Sequence, residues 1–367
     1  MKMLRLAALA ALLATSPLFA RSVQDGPYVV AAPNGGWMSR SLEWDENAME
    51  AHEAAVRVGG EVEVKAVDGV PAFKVKLRAP ATNAPDEVRL TADTPLFVMA
   101  DTHGEYQIAV ELLTNQKVID SALRWSFGKG HFVVLGDVFD RGRNHTQILW
   151  LLYKLEAEAK RAGGAVHLLI GNHESMALGG DERYLNPKYL IARDALRIDN
   201  YAELWNETTL LGQWLRTKAA VMKIGDYLCL HGGLSREVVD RGLTLAAMNQ
   251  SVRSSLGDRQ PDGFVMSPNG PLWYRGYFPQ AARESGSTPA TSDDVAKVLA
   301  FYKAKAIFVG HTIVPTVMPL YDGRVVAVQV YPHKDAATAR DEMQALLVKK
   351  GVLYRARIDG GAEPLTP

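Results

Sequence analysis

The 367-residue sequence holds a single cysteine, Cys229, so an intramolecular disulfide and a cysteine-rich zinc site are both excluded. Neither charge is in surplus: 41 Lys and Arg stand against 41 Asp and Glu. That balance argues against nucleic-acid binding as a main role and against an acidic solvating tail. Beyond the N-terminus no apolar run reaches the length that spans a bilayer, and no internal repeat or low-complexity stretch is evident. What is present is the composition of a folded chain, 47% hydrophobic and 22% charged, long enough for one large domain or two ordinary ones.

The first residues are unlike the rest. Lys2 and Arg5 precede an apolar run, Leu6–Ala14, and Thr15-Ser16-Pro17-Leu18-Phe19-Ala20 follows. A basic start, a short apolar core and a small-residue end are the pattern of a secretory signal, with cleavage expected after Ala20. The run is too short for a mature transmembrane helix. The expectation is an exported, slightly acidic mature chain without a membrane anchor. Missing disulfides do not oppose export, because a chain of this size can build a self-sufficient core. A sugar on the sequon at Asn144 would crowd the site described below, which favours a bacterial periplasmic setting.

Residues 21–90 are punctuated by Pro27, Pro33, Gly35-Gly36, Pro71, Pro80 and Pro85. Glu61–Val67 and Phe73–Leu77 alternate polar and apolar residues, and Asp68-Gly69 between them predicts a hairpin. This segment reads as a small β-rich N-terminal extension, and residues 91–367 as the main domain. From about residue 91 short apolar strands alternate with amphipathic helices: Leu96–Ala100, His131–Leu135, Val166–Ile170, Tyr227–Leu230 and Ala306–Val309 are the strands. Helices are expected at Thr146–Ala162, closed by Gly163-Gly164, and at about Asp293–Lys303, capped by Thr291 or Ser292. The alternation argues an α/β core. Residues 176–222 form an aromatic-rich, helical insertion, and Pro279–Pro289 reads as polar and flexible.

The chemistry falls at the strand ends. The five strands run into Asp101-Thr102-His103-Gly104, Gly136-Asp137-Val138-Phe139-Asp140-Arg141-Gly142, Gly171-Asn172-His173-Glu174, His231-Gly232-Gly233 and Gly310-His311-Thr312. Ligands in α/β sheets bind beyond the carboxyl ends of strands, so these turns are expected to converge. Oxygen and imidazole donors suit Mn, Fe or Zn. They outnumber the needs of one ion, whereas two ions sharing a bridging carboxylate use them all. Cys229 is expected to be buried packing. Of the other histidines, His52, His131, His145, His167 and His333, only His145 is expected near the site.

These motifs resemble those of the calcineurin-like metallophosphoesterases. Asp140-Arg141-Gly142 together with Asn172-His173-Glu174 is similar to the phosphoprotein phosphatase type, and Pro271–Tyr277 resembles the Shewanella-like branch. Ala100 stands where the commoner first motif has glycine, a position that offers no side-chain ligand. The resemblance covers about residues 95–335 and implies an α/β metallophosphoesterase-type β-sandwich flanked by helices. It implies that Asp101 and His103 hold a first metal ion, that Asp137 bridges, and that Asn172, His231 and His311 hold a second. It further implies that Arg141 contacts phosphate oxygens, that His173, oriented by Asp140, is the general acid, and that Arg275 is a second phosphate clamp. Glu174 is expected to support rather than ligate.

The implied reaction is phosphomonoester hydrolysis by direct attack of a metal-bridging hydroxide, with arginine neutralising charge on the phosphoryl oxygens. The expected substrate is a phosphorylated protein or peptide, on Ser/Thr and/or Tyr. Tyr184, Tyr189, Tyr201 and Trp205 of the insertion are either core or the lining of a substrate groove. Two alternatives remain: a dinucleoside polyphosphate or nucleotide hydrolase, and an inactive metal- or phosphate-binding module. Nothing in the sequence addresses the oligomeric state.

Overall fold

The computed structural model describes residues 24–33, 35–45, 48–79, 82–331, 333–334 and 341–366. The signal pattern of residues 1–20 lies outside them. From the N-terminus, β1 (Asp25–Ala31), β2 (Trp37–Asp45) and β3 (Ala48–Val56) form an antiparallel meander, and β4 (Glu61–Val64) pairs with β5 (Phe73–Lys76). Asp68 and Gly69 sit at the hairpin tip with φ of 51° and 80°, and Val67 and Val70 exchange backbone hydrogen bonds of 3.1 and 2.9 Å. Two positive φ angles in a two-residue turn match the right-handed twist of the flanking strands.

Then come β6 (Glu87–Val88), β7 (Leu96–Met99), α1 (Tyr106–Asn115), β8 (His131–Val134), α2 (His145–Ala162), β9 (Ala165–Leu168) and α3 (Asn172–Leu178). The insertion contributes α4 (Pro187–Ala195), a 3₁₀ turn at Tyr201–Trp205 and α5 (Leu210–Leu215). β10 (Val221–Ile224), β11 (Tyr227–Leu230), α6 (Arg236–Asp240), α7 (Leu245–Ser255), α8 (Pro279–Ser285) and α9 (Ser292–Tyr302) follow. The chain continues through β12 (Ala306–Val309), β13 (Met318–Leu320), β14 (Val325–Ala327), β15 (His333–Lys334) and β16 (Asp341–Glu342). β17 (Ala345–Lys349), β18 (Val352–Ala356) and β19 (Ala362–Pro364) end it.

Period-two alternation decides how these strands pack. Leu96 and Val98 of β7, Val133 of β8, Cys229 of β11 and Phe308 of β12 point into one apolar layer. Their neighbours Phe97, Met99, Phe132, Leu228 and Ile307 point into another, shared with the helices. Two six-stranded sheets result, ordered β19-β18-β17-β7-β8-β9 and β13-β14-β12-β11-β10-β6, and they pack face to face. This is the expected α/β sandwich with flanking helices. Cys229 is fully buried in the layer between the sheets, and burial pushes its thiol pKa up.

Register positions the site. β7, β8 and β9 are parallel with Met99 opposite Val134 and Val134 opposite Leu168. In the other sheet Leu230 lies opposite Val309 in parallel β11 and β12. The turns that follow these strands therefore leave the sandwich on one edge.

Local signals explain the helix ends. α2 ends on Gly163 at φ 80°, which a side chain would disfavour, with Lys160 and Arg161 favourably placed in its last turn. α9 starts on Thr291, whose Oγ1 accepts from the Asp294 backbone N–H while Asp294 accepts from that of Thr291. Residues 279–289 correct the sequence reading: Pro279 opens a short helix and Gly286, at φ 74°, closes it. The polarity there marked the exposed face of a helix rather than a flexible link. The β-rich extension shares the main core. Tyr28, Val29, Leu42, Val64 and Val75 belong to the apolar cluster that includes Trp150 and Leu152 of α2, and the Trp150 indole N–H donates to the Pro27 carbonyl at 2.8 Å.

Candidate metal centre

The strand-end turns bend sharply. Asp101, His103, Asp137, Asp140, Arg141 and His311 all have positive φ, between 36° and 71°. Non-glycine residues enter this region at a cost, and such strain concentrates where side chains must face a site. Gly310 shows the crowding: a Cβ there would overlap Oδ1 of Asp101.

Asp137 is the hub. Its Oδ2 lies 3.1 Å from His231 Nε2 and 3.8 Å from the Nε2 atoms of both His103 and His173. Two donor groups share it: His103, Asp137 and His173 on one side, Asp137, His231 and His311 on the other, each with ligand atoms within 4.8 Å of one another. His231 Nε2 also lies 2.8 Å from Asn172 Oδ1 and 3.0 Å from His311 Nδ1. Asp101 holds its oxygens 3.8 Å from His231 Nδ1 and 4.0 Å from His103 Nε2, and both accept from the His311 N–H at 3.2 Å. All six sequence-predicted ligands thus meet in one buried cluster. The Nδ1 atoms of His103 and His231 face the Phe139 and Leu135 carbonyls, which turns Nε2 of each inward.

The electrostatics are those of a site short of positive charge. Burial raises the Asp101 pKa to about 7, against the pull of His231. Burial also opposes ionisation of Asp137, yet His231 and His173 hold it well below the ordinary carboxylate range. His103 is driven down to about 3 by burial. His231, although buried, is raised to about 9 by Asp137 and Asp101. His311 Nε2 is buried without a hydrogen-bond partner among the described residues. Converging nitrogen and oxygen donors, an under-compensated carboxylate and an orphaned imidazole nitrogen fit bound metal cations.

Around the cluster, Glu174 behaves as expected. Its carboxylate accepts from the backbone N–H groups of Asp137, Val138 and Gly171 at 2.7–2.8 Å, fixing the turn that carries Asp137. His173 Nδ1 lies 2.5 Å from Asp140 Oδ2, leaving Nε2 toward Asp137. Burial disfavours a charged His173, but Asp137 and the Asp140 hydrogen bond outweigh it and raise its pKa. Arg141 is exposed, and its guanidinium makes no hydrogen bond or ion pair among the described residues. It stands close enough to His103 and His173 to disfavour their protonation. Arg275 donates to the His311 carbonyl at 2.7 Å and to Thr312 Oγ1 at 3.0 Å, which anchors it at the rim beside His311.

The insertion's aromatics divide. Tyr189, Tyr201 and Trp205 are core, whereas Tyr184 is 47% exposed, with its ring centroid 5.3 Å from that of His173. His145 is near but outside the cluster, stacked on Tyr189 with Nε2 2.7 Å from the Tyr201 hydroxyl. His131 and His167 pair with each other at 3.0 Å, His52 is exposed, and the His333 side chain lies outside the described residues.

The sequence reading missed what braces Arg141. Its backbone N–H donates to the Tyr184 carbonyl and its own carbonyl accepts from Asn186 Nδ2. Two residues on, the Arg143 carbonyl accepts from Lys188 Nζ at 2.8 Å, and Lys188 pairs with Asp25 of β1 at 3.1 Å. Asn144 reaches Asp68 of the hairpin at 2.6 Å. Nothing local to Asp25 or Lys188 in the sequence signals this contact.

Comparisons with known proteins agree with this geometry. The crystal structure of a cold-active protein-tyrosine phosphatase from a psychrophilic Shewanella species superposes with a TM-score of 0.79 at 33% identity, covering 94% of this chain and 99% of that one. Shewanella-like protein phosphatase 2 of Arabidopsis thaliana is 27% identical over 243 residues, 54% of this chain and 62% of that protein. Shewanella-like protein phosphatase 1 of Plasmodium berghei is 27% identical over 256 residues, 66% of this chain and 67% of that protein. The model of the calcineurin-like phosphoesterases matches residues 94–315, the span that carries every ligand-bearing turn, and the chain belongs to that family.

Proposed function

We propose that this protein is a metal-dependent phosphomonoester hydrolase acting on phosphorylated proteins or peptides, on Ser/Thr and/or Tyr. The observation that carries the reading is Asp137, a buried carboxylate flanked on both sides by imidazole nitrogens. Asp101, His103 and Asp137 would hold one ion, and Asp137, Asn172, His231 and His311 the other. When bound, such a pair supplies Lewis acidity and activates water near neutral pH.

The chain's own residues supply the rest. Arg141, unengaged by other side chains, is free to bind two phosphoryl oxygens at once. Arg275 is held at the rim as a second clamp. His173, whose charged form Asp137 and Asp140 favour, gives its Nε2 proton to the leaving oxygen. Asp140 fixes the ring so that Nδ1 faces the carboxylate and Nε2 the substrate. His173 shares a donor group with Asp137, but its engagement by Asp140 favours the acid role over ligation. The exposed Tyr184 ring beside His173 offers a wall for a phenyl leaving group. The N-terminal signal pattern supports export to a bacterial periplasm, and residues 91–367 serve as the catalytic domain with 21–90 as its β-rich extension.

The test is phosphate release from an aryl phosphomonoester by the mature chain, with added Mn²⁺ and with a chelator in parallel. Turnover that depends on the metal is expected. Absence of turnover by protein of confirmed metal content would refute the monoesterase reading and shift weight to polyphosphate substrates or to binding alone.

A further inference from the structure

A cavity of about 590 Å³ opens between α2, α5 and the strands β9 and β10, and no residue of the metal centre lines it. Its volume falls in the range of small-ligand pockets, roughly 300–1,000 Å³. The whole chain is neutral, but this cavity is not. Arg78, Lys160, Arg161 and Lys218 line it, with Glu156 as the one acid among the described lining residues.

The inner charges are built in rather than scattered on a surface. Lys218 is 4% exposed, 2.5 Å from Glu156 Oε1 and 4.3 Å above the Trp214 ring. Glu156 Oε2 accepts from Arg78 at 3.1 Å and from the Trp214 indole N–H at 2.9 Å. One carboxylate thus serves two cations and an indole, and Glu156 takes only one of the three ammonium donors of Lys218. Burial pulls Lys218 below the ordinary lysine range in spite of Glu156, which marks incomplete compensation. Lys160 and Arg161, at the exposed end, make no hydrogen bond or ion pair among the described residues. Ala84, Pro85 and Ala157, none of them buried, give the remaining wall its apolar surface, with Leu168, Leu210 and Met222 buried behind it.

We propose that this cavity is a second binding site, for a small amphiphilic anion. A carboxylate, sulfonate or phosphate head would meet Lys218 with Lys160 and Arg161, and an alkyl or aryl body would lie against Ala84, Pro85 and Ala157. The head supplies the missing negative charge through charge-assisted hydrogen bonds, and the body removes apolar wall from water. A head without a body gains only the first of these.

The test uses the metal-loaded mature chain and three probes: anilinonaphthalene sulfonate, followed by its fluorescence, and decanoate and inorganic phosphate as competitors. Saturable binding of the sulfonate is expected, displaced by decanoate and poorly by phosphate. The double variant Lys160→Glu/Arg161→Glu should bind it about tenfold more weakly, because two reversed charges act on the head through partly screened Coulomb interaction. Ala157→Phe, which fills the cavity from α2, should abolish binding. Both variants should hydrolyse an aryl phosphate at the wild-type rate, which also shows that they fold. No saturable binding of either amphiphile, or unchanged affinity in both variants, overturns the site. Phosphate displacing the sulfonate as well as decanoate does would overturn the amphiphile and leave a plain anion, or the metal centre, as the place of binding.

Discussion

Replacing Asp25 by Asn should destabilise the protein far more than an edge position of an N-terminal strand ordinarily would. Asp25 and Lys188 are 3% and 4% exposed, with 3.1 Å between their charged atoms. Removing one partner of a buried pair typically costs about 3–5 kcal/mol, because the other charge stays buried and uncompensated. Lys188 retains the Arg143 carbonyl at 2.8 Å and Asn144 Oδ1 at 3.4 Å, so the lower end, about 3 kcal/mol, is expected. The double variant Asp25→Asn/Lys188→Met removes both charges and should recover much of that loss. Urea unfolding of the wild type, both single variants and the double variant closes the cycle, and a coupling of about 2 kcal/mol or more is expected. Because Lys188 also holds the loop that carries Arg141, KM for an aryl phosphate should rise in Asp25→Asn with a smaller change in kcat. A loss under about 1 kcal/mol, or simple additivity in the cycle, would falsify the claim that β1 is pinned to the Arg141 loop through this pair.

His173→Asn should lower kcat by about 10²–10⁴ while metal content, measured by elemental analysis, stays at the wild-type level; loss of metal would instead make His173 a ligand. Gly310→Ala should cost both metal affinity and activity, because the added Cβ displaces Oδ1 of Asp101; a variant with wild-type metal content counts against that packing argument. His167 is held down to about 3 by burial, then by His131 and Lys218, whereas an unfolded histidine titrates near 6.5. The unfolded chain therefore binds this proton first, so stability is retained above pH 6.5 and lost as the pH falls toward 3. Between pH 6.5 and 5.5 the wild type should lose about 1 kcal/mol more than His167→Gln in denaturant unfolding, and parallel curves for the two would contradict this.

The clustering of the candidate ligands was legible because its information is local. Every proposed ligand lies within a few residues of a strand end, and short apolar runs followed by Asp, Asn or His reveal both the strand and its cargo. The Asp68-Gly69 turn, the Gly163 stop and the Thr291 cap were legible for the same reason, each being a backbone demand met by neighbouring residues. The Pro279 segment misled because a seven-residue helix with one small buried face leaves little periodicity to read.

What the sequence determined by itself was therefore the five strands that run into donor residues, the 61–77 hairpin and the chemistry of those strand ends, since backbone geometry and residue chemistry act over a few positions; the remaining strands of both sheets, β17–β19 among them, came only with the structure. Tertiary packing alone decided that Tyr184 stands at the rim while Tyr189 and Tyr201 are core, although all three sit in one aromatic-rich segment. It decided that Asp25 neutralises Lys188 behind the Arg141 loop, and that Arg78, Glu156, Trp214 and Lys218 gather around one cavity. Those contacts join residues distant in the chain, and their partners are fixed only when the sheets and helices close on one another.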